Sequence, residues 1–555
     1  MRKTKSWMKY AVLATALTLA SVALALDGQF GIHDPSTVVL CDGKYYTWGT
    51  GGSPLVSDDG WTWRAGVRAS RSGMAPDVIH IGDRYYMYVA GNPGGQPHGA
   101  INMIWSKTLD PNSPNYKWED GGLVASSDGI EDCNAIDPGA FLDPTTGRLW
   151  LTYGSYFGYI RQVELDPKTG KRIDPNDKPR DLAINCEASD MMSHDGLYYL
   201  LATHGSCCRG ADSGYNIRMG RSKNVNGPFL DDNGVDMIQG GGKLLIGSGG
   251  RYVGAGHFGL LDLGEGVMKF SMHWEADFDK GGASVLDIRP LLFKDGWPLA
   301  GENAKEGAYE IESERTNTAL ELAVEGKPVG GARGGRGGGG GRGPGGPGGP
   351  GGAPPAAGGP IIRSTDITRP AAVPAAGGPP QAADAGRGGQ GAPGGAPQAG
   401  APGGRGGGGG GMFGGQSTPV PDQDVKEASA NWPSGKIDTR MSNYLCQAQQ
   451  KWAIAAVPNA GGYPGSPYFK ITIVGTDRAL AATEDAELVV LPAFTGGPEQ
   501  LWRLDELADG SWRIMPKAIP SSKTPMALSA VGSSFATLAK FDPSSNKQRW
   551  LLKTP

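Results

Sequence analysis

A short turn keeps returning between β-rich runs from Asp27 to about Ala300. Cys41-Asp42-Gly43-Lys44, Ile81-Gly82-Asp83-Arg84 and Ser193-His194-Asp195-Gly196 are each followed by an aromatic pair: Tyr45-Tyr46, Tyr85-Tyr86 and Tyr198-Tyr199. Asp-Gly between strand-like runs is a strong hairpin signal, because its residues tolerate the positive φ that tight hairpin turns require. Further runs continue the series, among them Phe141–Leu142 with Leu149–Tyr153 across the turn Asp143-Pro144-Thr145-Thr146-Gly147. Helical periodicity is almost absent. Hairpins at intervals of roughly 50 residues predict an all-β fold, a five-bladed β-propeller over 27–303. A β-sandwich is the alternative, and the repeated hairpin with its aromatic pair favours the propeller.

In a propeller the inner strand of each blade faces a common axis, so acids far apart in sequence converge. Three stand near the start of a strand-like run in three different blades: Asp34 in Gly31-Ile32-His33-Asp34-Pro35, Asp137 in Asn134-Ala135-Ile136-Asp137-Pro138, and Glu187 in Cys186-Glu187-Ala188-Ser189. Any one of them alone reads as a turn residue. Together they suit glycosidic hydrolysis, which needs one protonated carboxyl for the leaving oxygen and one ionised carboxylate to activate water or attack. A third acid nearby raises the proton donor's pKa by like-charge repulsion. His33, Asn134 and Ser155 adjoin these acids and are candidates for substrate hydroxyls. Trp105 is a candidate sugar platform, as are Trp48, Trp61, Trp63, Tyr156 and Phe157, since aromatic faces stack on the apolar faces of sugars.

Several of these motifs also carry a resemblance. His33-Asp34-Pro35, Asn134-Ala135-Ile136-Asp137-Pro138, Trp150-Leu151-Thr152-Tyr153-Gly154-Ser155 and Glu187-Ala188 resemble those of glycoside hydrolase family 43, within its arabinanase group. So does the long run from Cys207-Cys208-Arg209-Gly210 through Tyr215 to Arg221-Ser222, ending Gly227-Pro228-Phe229. The resemblance implies a five-bladed propeller that hydrolyses the α-1,5-linked arabinose backbone of arabinan with inversion. It implies Asp34 as general base, Glu187 as general acid and Asp137 as the pKa modulator. It also matches His257, in Gly254-Ala255-Gly256-His257, to a central histidine that holds a cation, often calcium, at the axis. Phe258 follows here where a polar residue is expected.

The formal net charge of −4 leaves no basic footprint, so nucleic acid is not an expected partner. Residues 1–25 read as a secretory signal: Arg2, Lys3, Lys5 and Lys9, then an apolar run from Ala11 to Ala20, then Ala23-Leu24-Ala25 as a cleavage site. A secreted or periplasmic protein with no membrane partner after cleavage is expected. Export permits disulfides among the 6 cysteines, but their pairing is not legible. Cys133 and Cys186 lie near favoured acids, and both a bridge and buried free thiols remain open.

Residues 328–417 collapse to Gly, Pro and Ala with scattered Arg, a composition expected to be disordered. Beyond them Gln450-Lys451-Trp452, Gln500-Leu501-Trp502 and Gln548-Arg549-Trp550 recur at intervals of roughly 50 residues. The strand pair that should open the first repeat stands before the tract, at Tyr309–Glu312 and Ala319–Leu322. Residues 307–327 plus 418–555 therefore resemble a ricin-type β-trefoil with the tract inserted in its first repeat. Such a module is either a carbohydrate-binding appendage or a purely structural one. Three functions compete: an arabinan hydrolase, another specificity on the same fold (an exo-acting arabinofuranosidase or a β-xylosidase), and a non-catalytic polysaccharide-binding protein.

Overall fold

The computed structural model describes residues 26–91, 99–127, 134–156, 158–263, 267–324, 327–328, 425, 428–519 and 524–555. The signal segment, Cys133, Phe157 and most of the 328–417 tract lie outside them. Five antiparallel sheets follow in chain order. Blade 1 holds Val39–Cys41, Lys44–Gly49, Ser53–Ser57 and Thr62–Ala65, with Asp27–Gly28 added parallel at its outer edge. Blade 2 runs from Met74–Ile81 to Glu119–Ser127, and blade 3 from Gly139–Leu142 to Arg180–Ile184. Blade 4 runs from Glu187–His194 to Lys243–Ile246, and blade 5 from Tyr252–Asp262 to Trp297–Ala300. The described protein is all-β, with a five-bladed propeller in its first part. Blade 5 is tied to the chain start by Leu286 N–H to Phe30 O at 2.9 Å and Ile32 N–H to Ser284 O at 3.3 Å. Gly259 of blade 5 also packs on Thr37 of blade 1 so closely that a Cβ would meet Thr37 Cα at 2.3 Å.

Neighbouring blades cover each other's faces, which explains the reading of their second strands. Arg84–Ala90 is buried from its second residue to its last, a continuous apolar and aromatic run rather than an alternating one. Strands covered on both faces take this form. Between blades 1 and 2 the filling includes Trp48, Val78, Met87 and Ile104, and Trp61 and Trp63 sit in the core that joins blades 1, 4 and 5.

The C-terminal part is sheet-rich. Gly307–Ser313 and Thr318–Val324 share one 11-stranded sheet with strands from Ile437–Ser442 to Trp550–Lys553. Three sites repeat one geometry. Trp452, Trp502 and Trp550 are fully buried, and their indole N–H groups donate to Leu320 O, Leu480 O and Leu528 O at 2.9, 3.1 and 2.9 Å. The partner glutamines donate to Asn443 O, Ala493 O and Lys540 O, tying each loop to its tryptophan strand. This part docks on blades 1 and 5 through Gly462 N–H to Asp59 Oδ2 at 2.8 Å, Gly465 N–H to Gly60 O at 3.1 Å, and Lys269 Nζ to Pro464 O.

Candidate active site

One residue in or ahead of each inner strand lies in the left-handed region: Asp34 (φ 51°), Ala75 (46°), Asp137 (52°), Ala188 (47°) and His257 (41°). None is glycine, and each such position costs about 1–2 kcal/mol. The register shifts at Met74/Asp77, Glu187/Asp190 and Gly256/Phe258 mark the same places as bulges. Side-chain acceptors take up the displaced amides. Thr37 and Ala140 donate to Asp77 at 3.0 and 2.8 Å, and Ala188 donates to Asp137 Oδ2 at 3.2 Å. These kinks turn the inner strands so that Asp34, Asp137 and Glu187 meet at one end of the axis.

Asp34 is surrounded by imidazoles. Its Oδ2 accepts from Thr50 Oγ1 at 2.5 Å and from His33 Nδ1 at 2.9 Å. Its Oδ1 stands 3.6 Å from His257 Nδ1 and 3.8 Å from His273 Nδ1. Asp34 N–H donates to His273 Nδ1 at 2.8 Å, which makes that nitrogen an acceptor and places the His273 proton on Nε2. His33 is stacked on His273 with ring centroids 4.5 Å apart, and its Nε2 faces Glu275 Oε1 at 3.2 Å. Burial opposes charge on His33, but its bonds to Asp34 and Glu275 outweigh burial and push it up to about 10. Burial alone would favour a neutral Asp34; the facing imidazoles overcome it and hold the carboxyl well below the usual range. Burial pushes His257 down to about 4, so at neutral pH the charge acting on Asp34 is that of His33. Glu275 is buried, and its bonds from His273, His33 and Cys208 N–H hold it below the usual range in the same way.

Glu187 meets the opposite environment. Burial, then the negative charges of Asp34 and Glu275, push it up to about 7 against the pull of the Tyr215 hydroxyl, which donates to its Oε1. Asp137 is buried, and desolvation with the charges of Glu187 and Asp34 drives it well above the ordinary range. Tyr215 is fixed by close approach: a Cβ on Gly256 would lie 2.3 Å from its Cδ2.

Asn134 and Ser155 are buried beside Asp137, held there by Gly154 N–H to Ile136 O at 2.9 Å. Ser155 Oγ has no hydrogen-bond partner among the described residues. Tyr156 is partly exposed, its hydroxyl on Thr203 O at 3.1 Å, and the Glu187 charge reaches it. Trp105 is not brought to the acids. It pairs with Tyr86 and Glu119 at the far end of the blade 2 strand Gly99–Ser106, under the Arg84 guanidinium at 4.2 Å. That strand leaves the mouth of the site at Gly99, so residue 105 emerges at the opposite face. Trp48, Trp61 and Trp63 are core. Cys186 is a buried free thiol pushed up to about 12, mainly by burial, and Cys207 and Cys208 are joined in a vicinal disulfide.

Glu275, His273 and Thr50 carry no functional mark in the sequence reading, and Tyr215 appears there only as part of a motif. The strand Met268–Asp277 reads as core, yet His273 and Glu275 sit two apart and so share one face of it. That spacing was the available signal.

A propeller axis that gathers one carboxyl held low and two pushed up is a place suited to acid–base chemistry. The family model of glycosyl hydrolases family 43 matches residues 44–298. An extracellular exo-α-(1→5)-L-arabinofuranosidase of Cellvibrio japonicus is 34% identical over 283 residues, spanning 45% of this chain and 80% of that protein. An extracellular endo-α-(1→5)-L-arabinanase of Bacillus subtilis is 28% identical over 335 residues, spanning 54% of this chain and 99% of that protein. The crystal structure of an exo-1,5-α-L-arabinanase from a bovine ruminal metagenomic library, 32% identical, covers 50% of this chain and 99% of that one with a TM-score of 0.47. The chain belongs to glycosyl hydrolases family 43 and is a glycoside hydrolase.

Proposed function

We propose that this chain hydrolyses α-1,5-linked L-arabinofuranosyl bonds of arabinan by single displacement with inversion. The observation that carries the reading is the opposite displacement of two carboxyls at one axis: Asp34 held ionised beside protonated His33, Glu187 pushed up to about 7. Carboxyls driven apart by their surroundings divide into base and acid. In this reading Asp34 takes a proton from water as that water's oxygen bonds to the anomeric carbon. Glu187 gives its proton to the departing glycosidic oxygen, and the electron pair of the broken C–O bond stays on that oxygen. Asp137, the modulator in this reading, accepts from the Ala188 amide and so orders the chain beside Glu187. Asn134 and Ser155 hold substrate hydroxyls, and His33 contacts the sugar nearest the base. The carboxylates of Asp34 and Glu275 favour the positive charge that develops on the sugar ring.

A cation at the axis belongs to the same reading. Neutral His257, with Asp34 Oδ1 3.6 Å from its Nδ1, presents one nitrogen and one carboxylate oxygen. This is a sparse set that leaves calcium to complete its shell with waters. His257 would hold it together with waters, and the ion would supply positive charge near Asp34 that keeps that carboxylate ionised. The two relatives described as extracellular accord with an exported protein whose first 25 residues are a signal. No described helix is long and apolar enough to cross a membrane. The threefold Gln-x-Trp geometry supports a β-trefoil over 307–327 and 418–555, interrupted by the Gly/Pro-rich tract.

The test is a product time course on debranched arabinan, with xylan and galactan as controls, for the parent chain and Glu187→Gln. Arabinan cleavage is expected, falling about 100- to 10,000-fold in the variant with an unchanged far-ultraviolet dichroism spectrum. Mixed oligosaccharides at early times define endo action; one fixed short product defines exo action. Release from xylan alone, or full activity in Glu187→Gln, overturns the reading.

A further inference from the structure

On the propeller face opposite the acids, the ends of blades 4 and 5 do not close against the C-terminal part. They leave a cavity of about 650 Å³, walled on its other side by Asp505–Ala508 and Arg513. Ligand sites are commonly about 300–1,000 Å³. Buried charges line the cavity: Lys269, Asp505 and Arg513 are 2%, 4% and 3% exposed. Asp505 Oδ2 accepts from Arg503 Nε at 2.8 Å, while its buried Oδ1 has no hydrogen-bond partner among the described residues. Leaving a carboxylate oxygen unpaired in a buried place is costly, and a hydroxyl donor would satisfy it. The His194 ring lies flat on Phe293, centroids 3.6 Å apart and planes 16° from parallel, and its side chain keeps 33% exposure where both residues line the cavity.

These groups select a chemistry. Donors (Lys269, Arg513) and acceptors (Asp505, Glu506) both line the cavity, so a ligand rich in hydroxyls can use both kinds at once. Carboxylates outnumber basic groups around the cavity, which disfavours a uronic-acid chain. A flat imidazole face suits the C–H face of a neutral sugar. We propose that this cleft is a second carbohydrate-binding site, remote from the acids, that holds a segment of neutral arabinan. The choice of arabinan rests on the function proposed above. The C-terminal part would then serve polysaccharide capture through the side it turns to the propeller.

The test uses the full chain carrying Glu187→Gln, titrated calorimetrically with arabinohexaose, with and without Ala508→Trp. Ala508 is exposed at the cavity mouth, so an indole there fills the entrance without entering a core. Ala508→Trp is expected to reduce the number of bound hexasaccharides by one and to weaken retention on insoluble arabinan. In the Glu187-containing chain, kcat/KM on arabinotriose is expected to stay unchanged by Ala508→Trp. His194→Ala should weaken the same site at least threefold while leaving the other binding untouched. Equal stoichiometry with and without Ala508→Trp overturns the cleft site and leaves the arabinan reading standing. Absence of arabinohexaose binding at any site overturns both.

Discussion

Replacing Tyr215 with Phe isolates the hydrogen bond that tunes Glu187. The Tyr215 hydroxyl donates to Glu187 Oε1 and so stabilises the ionised form, opposing burial and the charges of Asp34 and Glu275. A hydrogen bond to a charged group contributes about 1.5–3 kcal/mol, and about 1.36 kcal/mol corresponds to one pKa unit. Without the hydroxyl, Glu187 should therefore rise from about 7 by roughly 1–2 units. In its proposed role as acid Glu187 must be protonated, so activity in the parent is expected to fall as pH rises through about 7, and in Tyr215→Phe that fall should move upward. The assay is the pH dependence of kcat/KM on arabinohexaose, which reports ionisations of the free enzyme. Phe keeps the ring that packs on Gly256, so the thermal midpoint should move little. An alkaline limb that stays in place, or moves downward, refutes the assignment of that limb to Glu187 under Tyr215 control.

Further expectations follow from the same geometry. Glu275→Gln removes one of the two carboxylates that keep His33 protonated; His33 should fall, Asp34 should rise, and the acid limb of the kcat/KM profile should move up by about one unit or more. Gly256→Ala places a Cβ 2.3 Å from Tyr215 Cδ2, and should cost about 1–3 kcal/mol in urea unfolding while lowering kcat through the displaced Tyr215. Trp502→Ala empties a fully buried site and strands Leu480 O, at an expected cost of about 3–5 kcal/mol, read as an earlier unfolding transition of the C-terminal part by tryptophan fluorescence.

The propeller was legible because three of its blades repeat a turn whose chemistry dictates its geometry: Asp-Gly or Gly-Asp at the bend, an aromatic pair behind it. The acids were legible for a related reason, since each opens a strand-like run in a separate blade. Trp105 shows where that kind of reading ends. Sequence gives the residue and its strand, but which end of the strand faces the site depends on how many strands precede it in the blade. Glu275 was illegible for a different reason. Its strand is covered on both faces and reads as uniform core, and its role depends on His33, 242 residues away. The Gln-x-Trp repeats, by contrast, carry their own hydrogen-bond pattern within a few residues, and that pattern recurs three times in the structure.

The ionisation of the site depends on sharing one cation between two acids. With Asp34 and Glu275 ionised, His33 protonated, and Glu187 and Asp137 carrying protons, the cluster holds one net negative charge at mildly acidic pH. That charge is what a sugar developing positive charge requires nearby. Were His33 neutral, two uncompensated carboxylates would face Glu187 and push it higher still, while Asp34 lost the partner that keeps it a base. Were Glu275 absent, His33 would answer to Asp34 alone, and the pair would be free to exchange its proton. In the proposed roles, the His33 bridge keeps base and acid apart in proton affinity although both are buried. Cys208 N–H, bonded to Glu275 Oε1 at 3.0 Å, ties the loop with the vicinal disulfide to this balance. In the proposed roles, a change in that loop should therefore register in both limbs, in that of Asp34 through His33 and in that of Glu187 through the Glu275 charge.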